Sequence, residues 1–155
     1  MKLTLLVVGD KMPAWAEDAT TEYLKRLPRE ASMVLSTVKP ERRAGQSAEA
    51  IKQAEAARLL EKIPTGSRLV ALDEHGRQVS TRELADLLER WLESGKDTVL
   101  VIGGADGLAQ DLLNRAETRL ALSRLTLPHA MARVLVVEQV YRAMSLLHNH
   151  PYHRD

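Results

Sequence analysis

Short apolar runs separated by helical stretches, recurring about five times, constrain this chain more than any other feature. Leu3–Val8, Met33–Val38, 68–72 and Thr98–Ile102 have the length of strands and are too short for buried helices. Helical signals lie between them. Pro13 can open a helix that Pro28 closes, with Trp15, Ala19, Tyr23 and Leu27 spaced along one face. Ser47 can cap a second, running through Ile51, Ala54, Arg58 and Leu59 to Pro64. Ser80 and Glu83 have the spacing of a capping box, in which each side chain satisfies a free amide at a helix start. Behind them Leu84, Leu87, Leu88, Trp91 and Leu92 form one apolar face, and Gly95 ends that helix. A short helix through Leu112 and Leu113 follows, and Pro128 and His129 open a long last one over 130–147. Such alternation predicts an α/β fold: a mostly parallel sheet of about five strands with helices on both faces. Thr98–Ile102, apolar on both faces, reads as a central strand. Asp73-Glu74-His75-Gly76 reads as a turn after the third strand.

Composition narrows the class. The 155 residues allow one domain, 1–155, against a typical size of ~150. With no cysteine, a disulfide scaffold, a thiolate metal site and cysteine catalysis are all excluded. No apolar stretch nears the ~18 residues that suggest a membrane span. The opening residues read as a first strand and not a signal peptide, because the apolar run is brief and Asp10-Lys11-Met12-Pro13 is a poor cleavage site; a cytoplasmic protein is expected. The formal charge of +1 is unevenly placed: residues 119–155 carry +3 and hold four of the five histidines, leaving −2 upstream. That points to a local anion site or to arginines on a solvated face.

Chemistry is expected where strands end, since open parallel sheets bind ligands at the carboxyl ends of their strands. Gly103 and Gly104 directly after a buried strand allow close backbone approach to a ligand, or serve a turn that needs positive φ. Neither G-x-G-x-x-G nor a P-loop is present. In 120–129, Leu120 and Leu122 alternate in one register and Leu125 and Leu127 in the other, with the slip at Ser123-Arg124. A period-2 strand cannot keep all four on one face, so a bulge or loop sits there with free backbone groups, suited to a purine or to a plain sheet edge. His148, His150 and His153 raise metal binding, which the intervening Pro151 and the lack of a nearby carboxylate disfavour. Tyr152 could stack on a base, and His153 and Arg154 could contact phosphate or a polarised carbonyl. His129 sits where a positive helix terminus disfavours its charged form. Arg133 and Arg142 are out of phase, so at least one faces a partner or both are solvated. Glu138, inside an apolar run, is expected to pair with an arginine across an interface.

Taken together, Met1-Lys2-Leu3, Val101-Ile102-Gly103-Gly104, Leu125-Thr126-Leu127-Pro128-His129, Glu138-Gln139-Val140-Tyr141-Arg142-Ala143 and Asn149-His150-Pro151-Tyr152-His153-Arg154 resemble the RlmH family. These are small SPOUT-class enzymes that methylate N3 of a pseudouridine in 23S ribosomal RNA. The resemblance spans the whole chain, and the terminal motif is its most specific part. It implies a C-terminal trefoil knot, which general folding rules would reject. It also implies a homodimer with active sites completed by the partner, S-adenosylmethionine as cofactor and the assembled ribosome as substrate. Cofactor contacts are implied for Leu72, Gly103, Leu122, Ser123, Arg124, Leu125, Thr126 and Leu127, largely through backbone. Arg142, Tyr152, His153 and Arg154, with His129 after them, are the expected catalytic residues, His153 as proton acceptor and Arg154 stabilising an anion. Neither a metal nor a membrane is expected to take part. Two other readings remain at this point: a ribosome-associated RNA-binding factor without chemistry, and the same fold acting on a ribose 2′-oxygen.

Overall fold

A computed structural model describes residues 1–9 and 11–154. Asp10 and Asp155, counted above in the loop after the first strand and in the C-terminal charge, lie outside the described residues. The strands are β1 (Leu3–Val8), β2 (Met33–Val38), β3 (Arg68–Gln78), β4 (Thr98–Ile102) and β5 (Thr118–Ala121). The helices are α1 (Ala14–Arg26), α2 (Ala48–Lys62), α3 (Thr81–Ser94), α4 (Gln110–Arg115) and α5 (His129–Leu147), with a 3-10 turn at Arg29–Ala31. All strand pairs are parallel, in the order β2-β1-β4-β3-β5. No described helix is long and apolar enough to cross a membrane.

Successive strand residues face opposite sides of a sheet, so a strand apolar at every position must be covered twice. In β1, Leu3, Leu5 and Val7 face one core while Leu6 and Val8 face the other. In β4, Leu100 and Ile102 divide from Val99 and Val101 in the same way. The first core is closed by α1, α3 and α5 and the second by α2 and α4. The capping box of α3 is present, with Ser80 Oγ accepting from the Glu83 amide and Glu83 accepting from the Ser80 amide. Gly95 then ends the helix in the left-handed conformation at φ 68°.

Two expectations change. Asp73-Glu74-His75-Gly76 is not a turn: β3 runs on to Gln78, and its pairing with β5 shifts register between Leu72 and Arg77. Both Leu72 and Arg77 pair with Leu120, so the four residues between form a bulge over the short edge strand. A turn-like composition suits a bulge equally, because both need residues that tolerate irregular backbone. On α1 the inward face is Ala16, Thr20, Tyr23, Leu24 and Leu27, whereas Trp15 stands 52% exposed.

The bulge depends on Gly76. A Cβ there would lie 2.8 Å from the Arg119 carbonyl carbon and the Leu120 nitrogen, both backbone atoms that cannot swing aside. Gly45, in contrast, has φ +73° and open space around it. Gly76→Ala is expected to destabilise by about 3 kcal/mol through overpacking against backbone, and Gly45→Ala by about 1–2 kcal/mol through backbone strain alone. Urea unfolding midpoints of the two variants measure the difference.

Candidate functional site

β3 and β4 run side by side to Leu72 and Ile102, which pair in register and end the ladder these two strands share. Beyond them opens a cleft of about 710 Å³. Its lining includes Leu72, the turn from Gly103 to Gly107, Leu122, Ser123, Leu125, Thr126, Leu127 and His129. Arg124 belongs to the same segment but is exposed and does not line the cleft.

The chain leaves the sheet after Ala121, earlier than the slip at Ser123-Arg124 suggests, and crosses the strand ends as an irregular segment to Pro128. Its side chains do not form a core of their own: Leu125 is 77% exposed. The Leu125 amide donates to Ser123 Oγ at 2.9 Å. Among the described residues, the Arg124, Thr126 and Leu127 amides have no protein acceptor. A concave surface is thus edged by unused main-chain donors and apolar side chains, the combination that recognises a flat heterocycle.

The glycines shape this surface without positive φ, which Gly107 supplies at +86°. A Cβ on Gly103 would lie 2.8 Å from the Gly107 carbonyl, and one on Gly104 2.8 Å from Glu55 Oε1. Both glycines therefore let the turn close on itself and on α2. Glu55 is buried, and its Oε2 accepts from the Glu41 amide at 3.0 Å. Arg43 clamps the same turn from outside, its two terminal nitrogens reaching the Asp106 carboxylate at 2.6 and 3.2 Å. Neither Glu55 nor the Arg43–Asp106 pair was singled out from the sequence. The spacing Ile51, Glu55, Leu59, i, i+4, i+8 on one helix face, was the available signal for Glu55.

His129 begins α5 at the inner wall of the cleft. Its Nε2 is buried without a hydrogen-bond partner among the described residues. Burial, reinforced by the nearby Arg133 charge, pushes the imidazole below its usual 6.5, against a hydrogen bond to the Gly103 backbone that favours the charged form. The neutral state expected from the helix terminus thus has desolvation as its first cause. Arg133 is not solvated: it is 1% exposed, and its Nη2 donates to the Gly9 carbonyl at 3.0 Å.

The remaining expected site residues gather elsewhere. Arg142 Nη2 lies 2.7 Å from Glu138 Oε1, so the arginine that pairs with the acid stands on the same helix, where an interface was expected to supply it. Tyr152 OH donates to the same oxygen at 3.0 Å, and Arg142 Nη1 lies 3.3 Å from His153 Nδ1. Arg154 is exposed beside them. The other tail histidines are engaged separately, His148 with Glu30 and His150 Nδ1 with the Tyr152 amide. Thirteen residues of α5 separate His129 from Arg142, ~20 Å at 1.5 Å per residue. Within one chain the structure therefore joins Leu72, Gly103, 122–127 and His129, and separately joins Arg142, Tyr152 and His153.

Because the folded His129 binds its proton less readily than the unfolded one, its contribution to stability is complete above pH ~6.5 and declines as pH falls from there toward the folded value. His129→Gln is expected to flatten that part of the curve, as measured by urea midpoints between pH 7.5 and pH 5.

Comparison with known proteins matches the geometry. The family model described as predicted SPOUT methyltransferase covers residues 1–153. A ribosomal RNA large subunit methyltransferase H from Laribacter hongkongensis is 54% identical over 156 residues, covering all of both chains. A protein of the same name from Methylobacillus flagellatus is 52% identical, also over the full length of both. Among solved structures, a methylase family protein from Haemophilus influenzae superposes with a TM-score of 0.58 at 16% identity, over 99% of this chain and 70% of that one, a likeness of fold. With near-complete coverage by the family model and about half of all residues shared with full-length relatives, this chain belongs to the SPOUT methyltransferase family.

Proposed function

We propose that this protein transfers a methyl group from S-adenosylmethionine to N3 of a pseudouridine in large-subunit (23S) ribosomal RNA, in the cytoplasm and on the assembled ribosome. The observation that carries the reading is the cleft bounded by Leu72, Gly103 and 122–127, with its unused main-chain donors. The full-length relatives named for large-subunit ribosomal RNA methylation support the substrate class. The path from β5 across the strand ends to Gly9, followed by α5 packed with α1 and α3, supports a trefoil knot formed by the C-terminal segment.

The residues present fit the cofactor. The cleft has the volume of a small-molecule site, for which 300–1,000 Å³ is typical. Leu72, Leu122, Leu125 and Leu127 offer apolar contact to an adenine, and the Thr126 and Leu127 amides offer donors. Neutral His129 places no cation at the inner wall, where a sulfonium would be repelled. When bound, S-adenosylmethionine supplies an electrophilic methyl that an in-line nucleophile can take without a metal.

The target base must lose its N3 imide proton before or during attack, and cationic groups lower the cost of the anion that develops. Arg142, His153 and Arg154 carry that chemistry, with Tyr152 beside them. Since they lie about 20 Å along α5 from His129, the tail of one chain does not reach its own cleft, and a homodimer with the tail of a second copy at each cleft unites the two halves. A net charge of +1 adds little to RNA affinity by itself. This favours a large preassembled surface such as the ribosome over free RNA.

The test is methyl transfer from labelled cofactor to ribosomes lacking the modification, compared with free large subunits, with mass mapping of the nucleoside. Transfer to N3 of pseudouridine is expected; a label on a ribose 2′-oxygen, or no saturable cofactor binding by calorimetry, overturns the reading. Truncation after Pro151 is expected to abolish transfer while cofactor binding and dimerisation stay nearly intact. Mixing that truncated protein with a variant blocked in the cleft is expected to restore transfer, because mixed dimers carry one complete site; continued inactivity of the mixture would count against completion in trans.

A further inference from the structure

We infer that Tyr152 is an anchor and not a reacting group, and that Glu138 is the positioning residue that holds it, so that together they set the places of His153 and Arg154. The inference deepens the proposed function and rests on it for the tail's role in catalysis; the anchor itself rests on geometry alone.

All three tyrosines of the chain meet at one place. Tyr152 packs edge-on against Tyr141 with ring centroids 4.6 Å apart and lies 6.4 Å from Tyr23. The Arg142 guanidinium stands 4.7 Å from the centre of the Tyr152 ring. An aromatic ring packed on two neighbours and under a cation is not available to stack on a base.

The hydroxyl is equally committed. An ionised carboxylate only accepts, so the Tyr152 proton must point to Glu138 Oε1 at 3.0 Å. Tyr23 OH, 3.1 Å away, is then the donor to the Tyr152 oxygen. Glu138 is 9% exposed, and its other contacts are Arg142 Nε at 2.8 Å and Nη2 at 2.7 Å on Oε1, and Gln139 Nε2 at 2.7 Å on Oε2. Burial, and then the bonds to Tyr23 and Glu138, raise the Tyr152 pKa well above the usual phenol range. A phenol so held neither gives nor takes a proton readily near neutral pH.

The backbone delivers Tyr152 to this place. Asn149 takes φ 55° at the end of α5, the His150 amide donates to the Ser145 carbonyl at 2.8 Å, and His148 pairs with Glu30. The chain thereby folds back along α1 and α5. Arg142 then links the anchor to the next residue. A guanidinium can only donate, so His153 Nδ1 is the accepting nitrogen of the 3.3 Å contact. Glu138 thus fixes Arg142, and Arg142 orients the ring of His153.

The test uses full-length Tyr152→Phe, Glu138→Gln and the double variant, each a near-isosteric change. Amide hydrogen exchange is read on the free protein, and kcat and KM for methyl transfer are read on ribosomes lacking the modification. Each single variant is expected to speed exchange of the amides in 150–154 by about tenfold. Each is also expected to lower kcat by about tenfold with cofactor KM within about twofold, and the double variant to match the worse single one, since both remove one unit. The shape of the pH–rate profile is expected to survive Tyr152→Phe. Loss of the profile's limb or a fall of about a thousandfold in kcat with unchanged exchange would make Tyr152 a reacting group and overturn the inference. Unchanged exchange and kcat in Glu138→Gln would overturn it also. If the parent protein transfers no methyl while the variants still loosen the tail, the proposed reaction fails and the anchor stands.

Discussion

The guanidinium of Arg133 ties the first turns of α5 to the carbonyl of Gly9 at the end of β1, and the cleft depends on that tie. A charge this deeply buried is costly unless it is hydrogen-bonded, so the contact is enforced by desolvation. Gly9, at φ +131°, is the residue that can offer its carbonyl there, since a Cβ would sit 2.7 Å from Arg133 Nη2. The segment 122–128 is thus stretched between two fixed points: β5 at one edge of the sheet, and the end of β1 on the far side of β4. It must pass over the ends of β3 and β4, and it has no strand to pair with on the way. Its unused amides follow from that path.

A second constraint comes from the opposite face. Glu55 and the Arg43–Asp106 pair hold the 103–107 turn against α2 and the 41–46 loop. The floor of the cleft is thereby fixed from beneath and its rim from above. Such a site is preorganised, so little ordering is left for a ligand to provide.

Much of the architecture was legible because burial on both sheet faces leaves a plain mark. Strands apolar on both faces in β1 and β4, the capping box of α3 and the left-handed stop at Gly95 were all readable. The bulge in β3 was not, since Asp73-Glu74-His75-Gly76 has the composition of a turn and only the proximity of β5 decides between the two. Trp15, Ala19, Tyr23 and Leu27 recur every four residues, a stripe that drifts around a helix of about 3.6 residues per turn, so the packing takes Ala16 and Thr20 at the start of α1 and leaves Trp15 exposed. Within the site, the register slip correctly marked a departure from the sheet but placed it late, as leucine spacing carries no information on where pairing stops. Glu138 was recognised as needing an arginine. That arginine is Arg142, four residues along the same helix, a spacing that brings two side chains of one helix face together.

One element, α5, carries two groups that must each face their own surroundings: His129 at its start, toward the strand termini, and Arg142, thirteen positions on, toward Tyr152 and His153. A straight helix is a gauge of both distance and direction. Adding a single residue between these positions would turn one end by about 100° relative to the other and lengthen the gap by about 1.5 Å. Adding seven would nearly restore the orientation but displace the far end by about 10 Å. The middle of this helix should therefore absorb a change of side chain far more readily than a change of residue count, and insertions compatible with the architecture belong in the loops instead.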